Sequence, residues 1–282
     1  MEQPEKEWHK YPVLHLDLNA KKFDKEEDLY DILNAQLHCY EELYGYKAVD
    51  TSIEGRFRAV IRAAKEKTGR NVVVLIDEYD KPILQAIGNV PLQEEFRNML
   101  KAFYGVLKSA DADLKFALLT GVTKFAKVSV FSDLNNLNDI SMDDRYHNIC
   151  GITDEELHTV FDQEIQELAI ANKQTKEEAY SQLKRTYDGY HFTHDTQGLY
   201  NPFSVLNTLS KRKYGSYWFS TGTPTYLVEL IKKANFNIEE LNDYEASEEQ
   251  LSSVHVDGID PIPVLYQSGY LTIKDFDERF CM

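Results

Sequence analysis

Six residues in two short stretches have the side chains to handle a metal ion and a phosphate. Asp77, Glu78 and Asp80 lie in NVVVLIDEYDKPIL (71–84); Thr120, Thr123 and Lys124 lie in LLTGVTKF (118–125). An aspartate can hold a hard divalent cation, directly or through water, and a neighbouring glutamate can draw a proton from an attacking water. Threonine hydroxyls and a lysine ammonium can contact a phosphate. The competing reading is plain: Asp77 and Glu78 are solvated or cap the next helix, and a Thr-Gly turn leaving a strand is ordinary loop chemistry.

The elements that must position these residues are legible in the surrounding pattern. VVVLI, apolar at consecutive positions, predicts a strand covered on both faces, as in a parallel sheet, and ligands bind at the carboxyl ends of such strands. Adjacent residues can serve one site only where a strand ends, because within it their side chains point to opposite faces. YPVLHLDL (11–18) and LKFALLTGV (114–122) predict two further strands. Apolar residues at helical spacing predict amphipathic helices over 27–46, 52–69 and 91–110, with Gly69 as a C-cap. Strands alternating with helices imply parallel pairing through right-handed crossovers.

From about residue 150 the pattern changes. Thr153 with Glu156 and Thr175 with Glu178 have capping-box spacing, predicting helix starts near 154 and 176. Asn201-Pro202 and Thr223-Pro224 predict two more starts, each as an N-cap followed by an N1 proline. Asp188-Gly189 and Gly198 suggest a short hairpin. PIPVLYQSGYLTIKDFD (261–277) reads as a short apolar helix, a glycine turn and a strand, an ending that resembles a winged-helix module. The expected division is an α/β core over 1–150 and a mostly helical part over 151–282.

Composition bounds the function. The 282 residues carry 31 Lys and Arg against 47 Asp and Glu, a formal charge of −16, which repels phosphate backbones and anionic membranes and disfavours nucleic-acid binding. Three widely spaced cysteines form no CxxC and no metal-ligand pattern, so free thiols in a reducing compartment are expected. The acidic start MEQPEKEWHK has no apolar core of a signal peptide, and no apolar run reaches membrane-spanning length, so a cytoplasmic protein is expected. The histidines have no HExxH spacing, and no serine sits in a G-x-S-x-G context.

The stretches VLIDEYDKPIL, LLTGVTKFAKVSVFSDLNNLNDIS, YDGYHF, YNPFSVLNTL, YWFSTGTPTYLVELI and LYQSGYLTI, in this order, resemble the predicted AAA-ATPase-like family. These are P-loop ATPases related to archaeal and STAND ATPases, often fused to a C-terminal PD-D/E-x-K-type nuclease domain. The resemblance runs from Trp8 to Asp277. It implies a P-loop NTPase-like parallel sheet with helices on both faces, a helical lid and a winged-helix-like extension. It implies Mg2+ and ATP as cofactors, with Asp77 in the Walker B metal role, Asp80 beside it toward the nucleotide, and Glu78 as catalytic base. Thr120, Thr123 and Lys124 are unranked candidates for the γ-phosphate sensor.

One departure stands out. Family members carry a P-loop upstream of the strand corresponding to YPVLHLDL, yet among the 13 glycines here there is no G-x-x-x-x-G-K-[ST] and no Gly-Lys pair. The backbone N–H groups and lysine that neutralise β- and γ-phosphates are missing. The expectation is therefore a truncated chain, with an incomplete sheet lacking its central strand and an ATPase-type regulatory module inactive alone. A non-catalytic module that binds a protein partner, such as a separate P-loop fragment, is the alternative. A magnesium-dependent phosphodiesterase using Asp77, Glu78 and Asp80 comes third, since no further ligand set is spaced for it.

Overall fold

The computed structural model describes residues 9–45, 49–124, 131, 134, 136–194, 196–220, 225–234, 236–237, 239, 241, 244–252, 254 and 260–276. Residues 125–130 of the stretch after the third strand, the Thr223-Pro224 pair and Cys281 lie outside them. The chain forms two compact units, residues 1–137 with 253–258, and residues 138–252 with 259–282.

The first unit holds β1 (Val13–Asp17), α1 (Glu26–Tyr44), α2 (Ile53–Thr68), β2 (Val72–Asp77), α3 (Lys81–Gln85), α4 (Val90–Ser109) and β3 (Leu114–Leu119). Local chemistry sets the helix ends. The Asp28 carboxylate accepts from the Asp24 and Lys25 amides at the start of α1. Ser52 accepts from the Gly55 amide to open α2, which closes on Gly69 at φ +69, the left-handed conformation a glycine adopts without Cβ strain. Asn89 caps α4 in the same way.

The strands are parallel in the order β1-β2-β3, with Asp17 opposite Asp77 and Ile76 opposite Leu119. β2 is central, and no gap separates the three. The expected missing central strand therefore leaves no break between these neighbours.

One face is covered as expected. Leu14, Leu16, Val72, Val74 and Ile76 are buried together with Leu29, Leu33, Phe57, Val60, Phe96, Leu100 and Phe103 of α1, α2 and α4, and these three helices pack against one another. Phe57 and Phe103 stack at 4.5 Å. Each fully buried side chain of this kind contributes about 1.5–3 kcal/mol. Arg56 of α2 binds Glu41 of α1 through two nitrogens at 2.7 and 2.9 Å, a forked pair that also holds the Glu41 carboxyl below its ordinary range.

The opposite face corrects the sequence expectation of helices on both sides. Val13 is 44% and Phe116 52% exposed, and Val73, Leu75 and Leu118 are only partly covered. Consecutive apolar residues predicted two covered faces, but the three long helices all pack into one layer.

The sheet's edges differ too. On β1, the Tyr40 hydroxyl accepts from the His15 amide at 2.7 Å and donates to the His15 carbonyl at 2.8 Å, while Gln36 Nε2 donates to the Asp17 carbonyl at 2.5 Å. Side chains of α1 thus occupy backbone groups that an edge strand leaves unpaired.

The second unit is helical: α5 (Asp154–Val160), α6 (Asp162–Asn172), α7 (Lys176–Tyr187), α8 (Pro202–Lys211), α9 (Tyr217–Ser220), α10 (Thr225–Ala234), α11 (Glu248–Ser252) and α12 (Ile262–Gln267). Thr153 and Thr175 form the expected capping boxes, and Asn201 caps α8 with Pro202 at N1. Leu157, Ile165, Leu168, Leu183, Tyr187, Tyr200, Val205 and Leu209 make its core. Only isolated antiparallel bridges occur among its described residues, Ile152 with Tyr200 and Tyr190 with Leu199. The strand expected after the Gly269 turn is not formed over 271–276. There the Thr272 hydroxyl accepts from the His191 amide and donates to the Gly189 carbonyl, a side-chain link in place of a backbone ladder.

Candidate functional site

The carboxyl ends of the three strands gather the acidic residues. Asp17 ends β1 directly opposite Asp77, which ends β2, and Thr120 follows the last residue of β3. The Thr120 hydroxyl donates to Asp77 Oδ1 at 2.5 Å, and the Glu78 amide donates to the same oxygen at 3.1 Å. Backbone bonds hold the two strand ends in step: the Thr120 amide donates to the Ile76 carbonyl at 2.9 Å, and the Tyr79 amide to the Thr120 carbonyl at 3.0 Å.

Glu78 turns the chain out of the strand at φ +57, a left-handed conformation that costs a non-glycine residue about 1–2 kcal/mol. Its side chain is half-buried, and desolvation raises its carboxyl above the usual range. Lys81 opposes that shift, while Asp77 and Asp17 add to it. Lys81 itself donates to the Asn19 carbonyl at 3.0 Å and to the Asn19 side-chain oxygen.

Asp80 and Thr123 face inward. Asp80 is fully buried, with Oδ1 accepting from the Val122 amide at 3.2 Å and Oδ2 from the Thr123 amide at 2.5 Å and the Thr123 hydroxyl at 2.8 Å. Burial pushes its carboxyl up to about 6, against the pull of those donors. Gly121 makes the approach possible, since a Cβ there would stand 2.4 Å from Asp80 Oδ1. The Tyr79 hydroxyl donates to the Thr123 carbonyl at 2.8 Å, and the Tyr104 hydroxyl to the Tyr79 carbonyl at 3.3 Å.

Of the six residues picked out by sequence, the fold therefore brings Asp77, Glu78 and Thr120 to the strand ends and pairs Asp80 with Thr123 underneath. Lys124 follows directly, its carbonyl accepting from the Val254 amide at 2.8 Å. Asp17 was missed, although YPVLHLDL carries the same signal of an apolar strand ending in aspartate. Gly121 was missed because a need for close approach is invisible without the partner strand.

Asp77 offers one exposed carboxylate, the ligand type that magnesium takes together with waters and phosphates. No group of three or more His, Cys, Asp or Glu able to hold a metal occurs among the described residues, so an all-protein cation cage does not fit. Neither do the strand ends offer a phosphate cradle: they present carboxylates, and this sequence has no Gly-Lys pair. No helix among the described residues is long and apolar enough to cross a membrane.

Residues 1–131 match the AAA-ATPase-like family model, described as predicted AAA-ATPase. A curated protein of Azotobacter chroococcum mcd 1, titled "Uncharacterized protein in vnfD 5'region", is 37% identical over 264 residues, covering 94% of this chain and 49% of that protein. The chain thus spans about half the length of this relative. No solved structure matches the chain. Residues 1–131, which hold all three strands, Glu78 and the Asp77–Thr120 pair, are thus the part of this chain that is similar to the predicted AAA-ATPase-like family.

Proposed function

We propose that the chain is an ATP-responsive regulatory module in which Asp77 holds Mg2+, Glu78 polarises the attacking water and Thr120 senses the γ-phosphate, and which does not hydrolyse ATP alone. The observation that carries this reading is the hydrogen bond between Thr120 and Asp77, at the ends of adjacent parallel strands where α/β sheets bind ligands. Desolvation of Glu78 fits a proton acceptor, because a carboxyl raised toward neutrality is a better base. Phosphate neutralisation needs the N–H groups and lysine of a P-loop, and a segment carrying them must come from elsewhere. The helical second unit would then act as the lid, and the cytoplasm is the compartment where ATP is at hand.

The protein-interaction reading rests on a different observation, the uncovered apolar face around Phe116 and Val13. The two readings converge if the interaction partner is the segment that brings the P-loop.

The test is a thermal melt with millimolar Mg-ATP, run on this chain alone and on the chain joined to a strand, P-loop and helix segment. A ligand at 100 times its dissociation constant stabilises by about 2.7 kcal/mol. The expected result is no shift for the chain alone, a shift in the joined protein and loss of that shift in Asp77→Ala. An equal shift in Asp77→Ala, or none in the joined protein, sinks the reading.

A further inference from the structure

Asp80 presents a problem that the nucleotide reading does not solve. A carboxylate is costly to bury, and this one is fully buried, its oxygens taken by the Val122 and Thr123 groups of the neighbouring loop. An apolar residue could plug the same space at lower cost. What an apolar residue cannot do is fix the orientation of backbone N–H groups.

Asp80 does that. Its two oxygens take the Val122 and Thr123 amides and the Thr123 hydroxyl, so the loop leaving β3 is held at consecutive residues. The spacing is matched on both sides. Asp77 and Asp80 lie three residues apart, as do Thr120 and Thr123, and each aspartate holds one threonine. The upper pair is exposed to solvent and the lower pair buried; backbone bonds align the strand ends, and the lower pair ties the loop that continues from Thr120. Gly121 lies between the two threonines, where any larger residue would push Asp80 away. Tyr79 adds a third tie, from its hydroxyl to the Thr123 carbonyl.

We propose that Asp80 is a positioning residue: by gripping Val122 and Thr123 it holds the Thr120 hydroxyl on Asp77, and it contacts neither nucleotide nor metal. This inference rests on the proposed role of Asp77 and Thr120 only for its functional consequence. The positioning itself is independent of any ligand.

The experiment reads the Thr120 side chain directly. Three-bond couplings from the Thr120 methyl carbon to its backbone nitrogen and carbonyl report whether χ1 is fixed or averaged. They are measured by NMR on the full chain carrying Asp80→Asn, Thr123→Val or Thr123→Ser. In the parent and in Thr123→Ser, which keeps the hydroxyl, a single rotamer is expected. In Asp80→Asn, where one acceptor oxygen becomes a donor facing donors, and in Thr123→Val, averaging between rotamers is expected while β1 and α1 amide signals stay in place. A role confined to stability would lower the melting temperature without moving the Thr120 couplings, and that result overturns the proposal. Should Asp80→Asn fail to fold, Thr123→Val decides the matter by the same couplings.

Mg-ATP affinity of the joined protein supplies the functional arm. Outer groups that orient a ligand's direct contacts typically cost about tenfold or more when removed, and Asp80→Asn should weaken Mg-ATP by about that factor. If the joined protein without substitution shows no Mg-ATP response, the nucleotide reading falls and the couplings alone still decide the positioning role.

Discussion

The Thr120 hydroxyl lies 2.5 Å from Asp77 Oδ1, so the last side chain of β2 is tied to the residue that follows the neighbouring parallel strand β3. Beneath them, in the interior, Asp80 grips Thr123. The consequences of this double tie can be measured one at a time.

The buried carboxyl of Asp80 should leave a signature in stability against pH. Its folded value, about 6, lies above the ordinary aspartate value of 3.8. Between these values the unfolded chain has lost the proton and the folded chain retains it, so stability falls as pH rises from about 4 to 6. A rise of this size corresponds to on the order of 3 kcal/mol. Urea unfolding of the parent and Asp80→Asn across pH 4–7 isolates this slope as their difference. A difference that is flat with pH, or that rises, would contradict the elevated value.

Replacing Gly121 with alanine brings a Cβ to 2.4 Å from Asp80 Oδ1 and 2.8 Å from the Tyr79 ring. Neither neighbour can retreat, since Asp80 is buried and Tyr79 is held at its hydroxyl. Gly121→Ala should therefore cost about 1–3 kcal/mol, the range for forcing extra volume into packed structure. Chemical denaturation reads the loss, and an unchanged midpoint would mean that the loop yields freely.

Glu78 should be more valuable to function than to stability. Asparagine tolerates the left-handed conformation at φ +57 better than glutamate does, and it removes the charge beside Asp77 and Asp17. Glu78→Asn is expected to stabilise by about 0.5–1 kcal/mol. Glu78→Gln, which removes only the charge, should gain less. If Glu78→Gln equals or exceeds Glu78→Asn in a urea titration, the backbone strain is not a factor.

On the far edge, Tyr40→Phe removes one hydroxyl that serves both the amide and the carbonyl of His15. The expected cost is about 1 kcal/mol. Exposure of an unpaired strand edge should also promote self-association, visible as a concentration-dependent mass by light scattering. A variant that melts like the parent and remains equally monodisperse would show that water replaces the hydroxyl without penalty.

Much of the fold was legible because its signals are local. Apolar runs marked β2 and β3, Ser52 and Gly69 marked the ends of α2, and Thr153, Thr175 and Asn201 marked three helix starts by the hydrogen bonds their side chains make to nearby amides. Asp77 and Glu78 stood out because they end an apolar run at the carboxyl end of a parallel strand, where α/β folds bind ligands. The division of the site into an exposed pair and a buried pair could not be read in the same way. Whether Asp80 faces a ligand or Thr123 depends on how far the loop after β3 approaches β2, a contact across more than 40 residues of chain.

Sequence by itself determined the parallel α/β pattern, the carboxylates at the end of β2 and the absence of a Gly-Lys phosphate cradle, since each depends on residue type and near-neighbour spacing. Tertiary structure alone decided that α1, α2 and α4 share one face of the sheet, that Tyr40 seals β1, and that Asp17 joins Asp77 while Asp80 turns inward. These are long-range outcomes. They depend on which surfaces meet when helices and strands pack, and no short window of sequence contains both partners.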